Sequence, residues 1–224
     1  MSNQQIEAGY QTTAKPESAG SDFNANAFLI RQILGQTNVA ILVQIKGVTN
    51  NGELSPVGFV DALPLVNQLD GFDNAIPHGV LHHLPYVRIQ GGTDAVIIDP
   101  QVGDIGIAIF AHSDISAVKA NAMTDARGPA NPGSRRKFSP EDGIYIGGCL
   151  NGTPVQYVQF NQSGISIISP TTVTINAPAI NSTGEWTHTG KITASVDVIG
   201  NGISLHDHVH SGVQGGSSNT GVPV

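Results

Sequence analysis

Apolar and polar residues alternate along much of the C-terminal third of the chain. The alternating runs cover residues 165–167, 173–179, 192–198 and 203–205. A period of two places the apolar side chains on one face of a strand. Glycine and proline turn signals separate the runs, at Gly164, Ser169-Pro170, Gly184, Gly190 and Gly200-Asn201-Gly202. The pattern therefore predicts a series of short β-strands.

The same region is poor in charge and in large apolar side chains. Residues 151–224 contain only four charged residues, namely Glu185, Lys191, Asp197 and Asp207. One chain of this kind has too little core to stand alone, and a soluble monomer usually carries more surface charge. Three copies wound around a common axis would bury one apolar stripe from each and leave few open strand edges. We infer an intertwined triple-chain β-structure; a stacked single-chain β-solenoid gives a similar pattern.

The front of the chain has a different periodicity. Residues 1–20 are polar and predict a flexible arm. Ser21 or Asp22 is a suitable cap for a helix that runs to about Gln36, and Gly35 lies where such a helix stops. Apolar residues recur there at helical spacing, at Phe23, Ala27, Ile30 and Leu34.

Five β-rich runs follow, at residues 39–48, 55–66, 85–90, 94–99 and 103–111. Turn signals and a long loop, 67–84, separate them. Short strands at this density predict a five-stranded barrel of the oligonucleotide/oligosaccharide-binding (OB) kind. The predicted organisation is an N-terminal arm and short helix (1–38), an OB-like barrel (39–118), a linker (119–140), a triple-stranded β-helix (141–202) and an apex (203–224). The fold class is all-β, with that one helix.

Composition excludes several classes of function. Charged residues make up 12% of the chain and the net charge is −7. Lys46 and Arg88 are the only bases between residues 39 and 115, which argues against contacts to nucleic-acid phosphates. A single cysteine, Cys149, excludes an internal disulfide framework. No apolar run is long enough for a membrane-spanning helix, and the N-terminus lacks a signal-peptide pattern.

Three histidines near the C-terminus carry the candidate chemistry. His206, His208 and His210 lie in the segment SLHDHVHSGVQGG. Residues two apart on an extended strand point to one side, so two imidazoles can hold one ion. Three chains would supply six nitrogens, an octahedral set that suits Fe, Ni, Co, Cu or Zn, although zinc usually takes four ligands. Such a closed site would be structural; the alternative is a polar tail without a metal.

Two longer segments resemble a known family. The segment THTGKITASVDVIGNGISLHDHVHSGVQGG (187–216) resembles the tip of central spike proteins from contractile-tail phage baseplates, and NTGVP (219–223) resembles the end of that motif. The segment 78–116 is similar to the barrel of the Mu-like spike and baseplate assembly proteins. Together the similar parts cover most of residues 39–224.

The resemblance implies a homotrimeric, membrane-piercing needle in the virion, at the tip of the tail baseplate. Its barrel would dock to the baseplate hub or tail tube protein. Its apex would hold one iron ion (Fe²⁺) per trimer through six histidines, with His208 and His210 as each chain's pair and His206 as an extra histidine. The protein would be made in the host cytoplasm and act at the host outer membrane and periplasm. No lysozyme-like insertion fits between barrel and needle, so we expect no enzyme.

Other candidate residues are expected to have structural rather than chemical roles. His78, His82 and His83 are expected to be ordinary structural histidines, and Cys149 a small buried thiol. His112-Ser113-Asp114 contains the residue types of a hydrolase triad, but neighbours in one strand point to opposite faces and cannot form a relay. The alternatives to a phage spike are the spike of a phage-tail-like bacteriocin or secretion apparatus, a metalloenzyme, or a barrel that binds nucleic acid or glycan.

Overall fold

The computed structural model describes residues 20–50, 54, 58–124, 126, 128–212 and 216. The chain divides into two units, one ending at Ile168 and the other beginning at Ser169. The first unit contains helices α1 (Asp22–Gly35) and α2 (Ser116–Met123), a 3₁₀ turn (Pro140–Asp142) and strands β1 (Ala40–Val48), β2 (Phe59–Pro64), β3 (Gln68–Leu69), β4 (Ala75–Ile76), β5 (Leu81–Pro85), β6 (Ile89–Gly91), β7 (Asp94–Val96), β8 (Ile105–Phe110), β9 (Gly143–Gly148), β10 (Tyr157–Asn161) and β11 (Gly164–Ile168). The second contains β12 (Ile199–Gly200) and β13 (Ile203–Ser204). No helix among these described residues is long and apolar enough to cross a membrane.

Helix α1 confirms the helix predicted from the local sequence signals. The Ser21 side chain accepts a hydrogen bond from the Asn24 backbone N–H at 3.2 Å, so it satisfies one of the free donors of the first turn. The helix ends at Gly35, and the Gln36 N–H donates back to the Gln32 carbonyl. None of the helix side chains is buried.

A curled five-stranded sheet forms the centre of the first unit. Its strand order is β5-β2-β1-β8-β9, and every neighbouring pair is antiparallel. The two edges meet at one point, where Tyr86, just after β5, forms a parallel bridge with Tyr145 of β9. There the Val87 N–H donates to the Tyr145 carbonyl at 2.9 Å. The sheet therefore curls into a half-barrel whose edge strands touch.

The concave face of this sheet holds the hydrophobic core. Alternate residues of β1, Val43 and Ile45, have no solvent-exposed surface, as the period-two pattern requires. The buried cluster takes side chains from all five strands: Val43, Ile45, Val60, Ala62, Leu84, Tyr86, Ala108, Phe110 and Tyr145. This unit thus folds around a core of its own.

Two of the five sheet strands differ from the predicted runs. The predicted loop 67–84 contains β3, β4 and most of β5, and β5 is the sheet edge beside β2. The prediction of a loop there was wrong because Leu81–Pro85 lacks a period-two pattern and lies near Pro77. The predicted runs 85–90 and 94–99 instead contribute the separate hairpin β6–β7. The fifth strand of the sheet, β9, comes from the range 141–202 that the sequence assigns to the β-helix.

The segment predicted as a linker, 119–140, contacts at its C-terminal end residues that flank strands β1 and β8. Asn38 donates its side-chain amide to the Phe138 carbonyl at 2.8 Å, and the Phe138 ring contacts His112 edge-on. Its first residues belong to α2, a second helix that the prediction of one helix missed. Helix α2 is short and has no side-chain cap, so it lacked the local signals that identified α1.

The second unit has little regular structure in a single chain. Between Ser169 and Val198, all of which the structure describes, the backbone forms no strand. None of the described residues from Ser169 onward is buried, and Val196 is 85% exposed. The alternating runs at 173–179 and 192–198 therefore find no partner strand among the described residues of their own chain. A two-stranded pairing is marginal in water, and these runs lack even that.

Candidate metal centre at the C-terminal turn

A tight β-hairpin precedes the histidine segment. Strands β12 and β13 pair through Ile199–Ser204 and Gly200–Ile203, and Asn201 and Gly202 form the turn. Both turn residues have positive φ angles, 50° and 81°, which an Asn-Gly pair adopts at low cost. The Leu205 N–H donates to the Val198 carbonyl at 2.8 Å and extends the pairing by one step.

Asp197 and Ser204 hold the turn that follows this hairpin. An Asp197 carboxylate oxygen accepts from the N–H groups of Val198, at 2.7 Å, and His206, at 3.1 Å. The Ser204 hydroxyl oxygen accepts from the N–H groups of His206 and Asp207, at 3.1 and 2.8 Å. The hydrogen bond from Ser204 lowers the pKa of Asp197, so this carboxylate stays ionised at neutral pH. The backbone leading into the histidines is thus fixed by two side chains.

The structure brings the rings of His208 and His210 together. Their centroids lie 5.1 Å apart and the ring planes are at 82°. Nδ1 of His208 lies 3.1 Å from the Leu205 carbonyl oxygen. A carbonyl oxygen only accepts, so a hydrogen bond here needs a proton on Nδ1; in the neutral imidazole the lone pair then lies on Nε2. Histidines that bind metals commonly donate their other ring N–H in this way.

His206 faces a different partner. Its Nε2 lies 3.6 Å from an Asp207 carboxylate oxygen, and both side chains are largely exposed. The structure places Asp207 beside His206.

One chain supplies only part of the ligands that a metal site needs. No group of three or more His, Cys, Asp or Glu side chains is placed to hold a metal within the described part of the chain. His208 and His210 supply two imidazole nitrogens, which suit borderline divalent ions such as Fe, Ni and Zn. Two ligands are too few for a firm site, so a metal here would need donors from further chains.

His82 and His83 of the first unit have structural partners. His82 Nδ1 lies 3.2 Å from an Asp61 oxygen, and the backbone N–H of His83 donates to the same carboxylate at 3.0 Å. The His83 ring stacks on Phe59 at 3.8 Å. The hydrogen bonds from His83 and His82 lower the pKa of Asp61 despite the opposing effect of burial. Cys149 is half-buried, and its N–H donates to the Ile105 carbonyl.

The segment His112-Ser113-Asp114 does not form a triad. His112 Nδ1 and the Ser113 hydroxyl do meet, at 3.0 Å, so the prediction that these neighbours point apart was wrong: they lie in a bend after β8 rather than in a strand. Lys137 also reaches the Ser113 hydroxyl, at 2.7 Å. Asp114 is engaged elsewhere and gives no orienting contact to His112.

Asp114 belongs to a charge cluster that sequence reasoning missed. Arg136 donates to both oxygens of the fully buried Asp142, at 2.6 and 2.9 Å, and to Asp114 at 2.8 Å. Hydrogen bonds from Ser116 lower the pKa of Asp114 to about 2, with a further contribution from Arg136. The bond from Arg136 likewise lowers the pKa of Asp142 against the effect of burial. The cluster ties the predicted linker to the start of β9.

One comparison with known proteins bears on the C-terminal turn. Residues 202–224 match the family described as the GpV Apex motif. The match begins inside the Asn201-Gly202 turn, includes His208 and His210, and extends over residues 213–215 and 217–224, which lie outside the described residues, as does the NTGVP segment. No curated protein matches the chain. The match supports a phage central spike protein and points to a structural spike apex at the tail tip, a component of the virion.

Proposed function

We propose that this protein is the homotrimeric, cell-puncturing spike of a contractile, Mu-like phage tail. The spike lies at the tip of the tail baseplate and pierces the host outer membrane when the sheath contracts. One observation carries the proposal: the apex motif coincides with the segment that brings two histidine rings together. The chain is made in the host cytoplasm and acts at the outer membrane and periplasm.

The exposure pattern of the second unit supports the trimer. Apolar side chains at alternate positions lie open in one chain, among them Val173, Ile175, Ile192, Val196 and Val198. Large exposed apolar surfaces mark interaction sites. Three chains wound as a triple-stranded β-helix bury these stripes against one another and pair the free strand edges. The scarcity of charge in residues 151–224 agrees with a surface that is mostly covered.

The strand order of the first unit supports an OB-like barrel. The five-stranded sheet consists of β1, β2, β5, β8 and β9 in chain order. The third and fifth strands of this series, β5 and β9, meet through the parallel bridge between Tyr86 and Tyr145. A five-stranded, partly open barrel is the OB architecture. In the spike this barrel docks to the baseplate hub or tail tube protein. Between residues 39 and 115 it has only two Lys or Arg residues, Lys46 and Arg88, so nucleic acid is not among its proposed partners.

A metal ion stabilises the apex by joining the three chains. His208 and His210 from three chains supply six imidazoles, and iron (Fe²⁺), one per trimer, is the proposed ion; other divalent ions suit the same ligands. When bound, the ion cross-links the three chain ends. The chain's own residues prepare the site: Leu205 holds the proton on Nδ1 of His208, and Asp197 and Ser204 fix the turn.

The mechanism is mechanical, and no catalytic step is proposed. During contraction the tip carries a compressive load, and strand ends are where a folded chain frays first. Interwound chains share the load through backbone hydrogen bonds, and the hairpin β12–β13 closes each chain just before the histidines. Metal ligation adds folding free energy at that point. The spike therefore penetrates by shape and force.

Elemental analysis of the untagged protein tests this proposal. We expect one iron per three chains in a particle of three times 23.3 kDa. The double variant His208→Ala/His210→Ala should lose the metal, and the matched control His206→Ala should keep it. A metal-free wild-type protein would contradict the proposed apex and favour a polar C-terminal tail that holds no metal. One zinc per monomeric chain would contradict it and favour the metalloenzyme.

A further inference from the structure

Helix α1 has an apolar stripe that the described residues of its own chain leave exposed. Phe23 is 80% exposed, and Ile30 and Leu34 are more than half exposed. No residue of this 14-residue helix is buried. Isolated helices of this length are marginal in water, so most helical stability in proteins comes from packing an apolar face. The helix therefore needs a partner for this stripe.

The spacing of the stripe identifies the kind of partner. Phe23, Ala27, Ile30 and Leu34 are separated by four, three and four residues, the spacing of a coiled-coil seam. With Ala27 and Leu34 at a positions, Phe23 and Ile30 occupy d positions. Leucine at a with isoleucine at d favours three or four strands over two. Ala27 on the seam is half-buried, as are Phe28 and Gln32 on the other side of the helix, where Leu29 is 57% exposed.

The charges of the helix suit parallel copies. Asp22 and Arg31 are its only charged residues, and neither lies on the seam. Three parallel helices bring three partially positive N-termini together, and Asp22 in the first turn of each offsets that charge. Ile33 flanks the seam and widens the apolar face that a third helix covers.

We propose that three copies of α1 form a parallel three-helix bundle, a second trimer contact outside the β-helix. The inference rests on the proposed function, because it takes the third copy from the trimeric spike. The bundle would join the three barrels at their N-terminal ends, where β1 begins only five residues after the helix. The occupant of the apolar stripe is thus this same chain rather than a different tail protein.

Cysteine cross-linking in the full-length protein tests the bundle. In a Cys149→Ser background each introduced cysteine is the only thiol in the chain. Ala27→Cys places the thiol on the seam, and Ala25→Cys is the matched control on the opposite side of the same helix. Disulfides need Cα atoms within roughly 7 Å, so we expect mild oxidation to give covalent dimers at Ala27→Cys and at least roughly tenfold fewer at Ala25→Cys.

Sedimentation before oxidation separates the possible outcomes. A three-chain mass with cross-linking confined to Ala27→Cys supports the bundle. A three-chain mass without that cross-link, or with equal cross-linking at both positions, overturns the bundle and leaves the spike proposal intact; an open seam would then be free for a hub protein. A single-chain mass in the unmodified protein overturns both proposals.

Discussion

The half-barrel and the C-terminal unit differ in where their apolar side chains lie. In the half-barrel, five strands from one chain enclose a core that includes Val43, Ile45 and Leu84, all without exposed surface. In the C-terminal unit, the same kinds of side chain alternate just as regularly, and none of the described ones is buried. Alternation therefore predicts a strand face in both regions. Whether that face is covered within one chain depends on the presence of neighbouring strands.

The two units also differ in their charged residues. The first unit satisfies its buried carboxylates internally, through Arg136 for Asp114 and Asp142. The C-terminal unit has almost no charges to satisfy, and it holds its one well-bonded carboxylate, Asp197, at the turn before the apex. We expect the first region to respond to substitutions as an independent fold and the second to respond as an assembly.

The largest expected effect is on assembly. The double substitution Ile192→Asp/Val196→Asp places two charges on the face proposed to lie inside the trimer, where unpaired charges are costly. We expect the three-chain particle to fall apart into single chains, measured by analytical ultracentrifugation. The matched control Thr193→Asp/Ser195→Asp adds the same charge on the opposite parity of the same run and should remain trimeric. Equal dissociation by both pairs would refute the assignment of the buried face.

A core substitution in the half-barrel should lower stability without changing assembly. Leu84→Ala removes a fully buried side chain and leaves a cavity, so we expect the free energy of unfolding of this region to fall by about 2–5 kcal/mol. Thermal unfolding followed by near-ultraviolet circular dichroism measures the change. Leu69→Ala, at a half-exposed position of β3, should have little effect. Dissociation of the trimer by Leu84→Ala would show that the two regions are not independent.

The turn before the histidines should affect metal affinity. Asp197→Ala removes the acceptor for two backbone N–H groups and frees the turn that presents His208 and His210. Loss of such an outer support typically weakens metal binding by roughly tenfold or more. Competition with a chelator measures the affinity, and Ser195→Ala serves as the control outside the turn. Unchanged affinity in Asp197→Ala would show that this carboxylate does not support metal binding.

The smallest expected effect is an acid dependence of the half-barrel. The pKa of Asp114 is about 2 in the folded protein, against an ordinary value of 3.8. A carboxyl group whose pKa is lowered by folding stabilises the fold above its ordinary pKa, and the contribution is lost as the pH falls through the folded value. We therefore expect the melting temperature to decline between about pH 4 and pH 2. Asp114→Asn should flatten the decline, whereas Asp94→Asn, on the exposed strand β7, should not.

The sequence identified elements whose signals are local. Ser21 and Gly35 bounded α1, alternation identified β1 and β8, and Asn201-Gly202 identified the final turn. It missed elements fixed by distant contacts. Strand β5 lies in a segment without alternation, and it exists because β2 supplies an edge for pairing. Strand β9 joins the half-barrel through β8, far back in the chain.

In the candidate site, too, some features are visible in the sequence and others are not. The His208–His210 spacing was visible in the sequence, and the structure brings the two rings together. The alternating pattern assigns their supports, Asp197 and Ser204, to strands. An acid or a serine just before a turn is the local signal for their role. The cluster of Arg136, Asp114 and Asp142 had no sequence signal, because its members come from three separate segments.

Sedimentation equilibrium of the untagged full-length protein, over a wide range of protein concentration, tests the central claim most directly. The account predicts a single species of three times 23.3 kDa whose mass is independent of concentration, because the exposed stripes of the C-terminal unit are covered only by two further copies. A stable species of 23.3 kDa would contradict it. The alternating runs would then belong to a single-chain structure, and the two histidines would lack the donors from other chains that the apex requires.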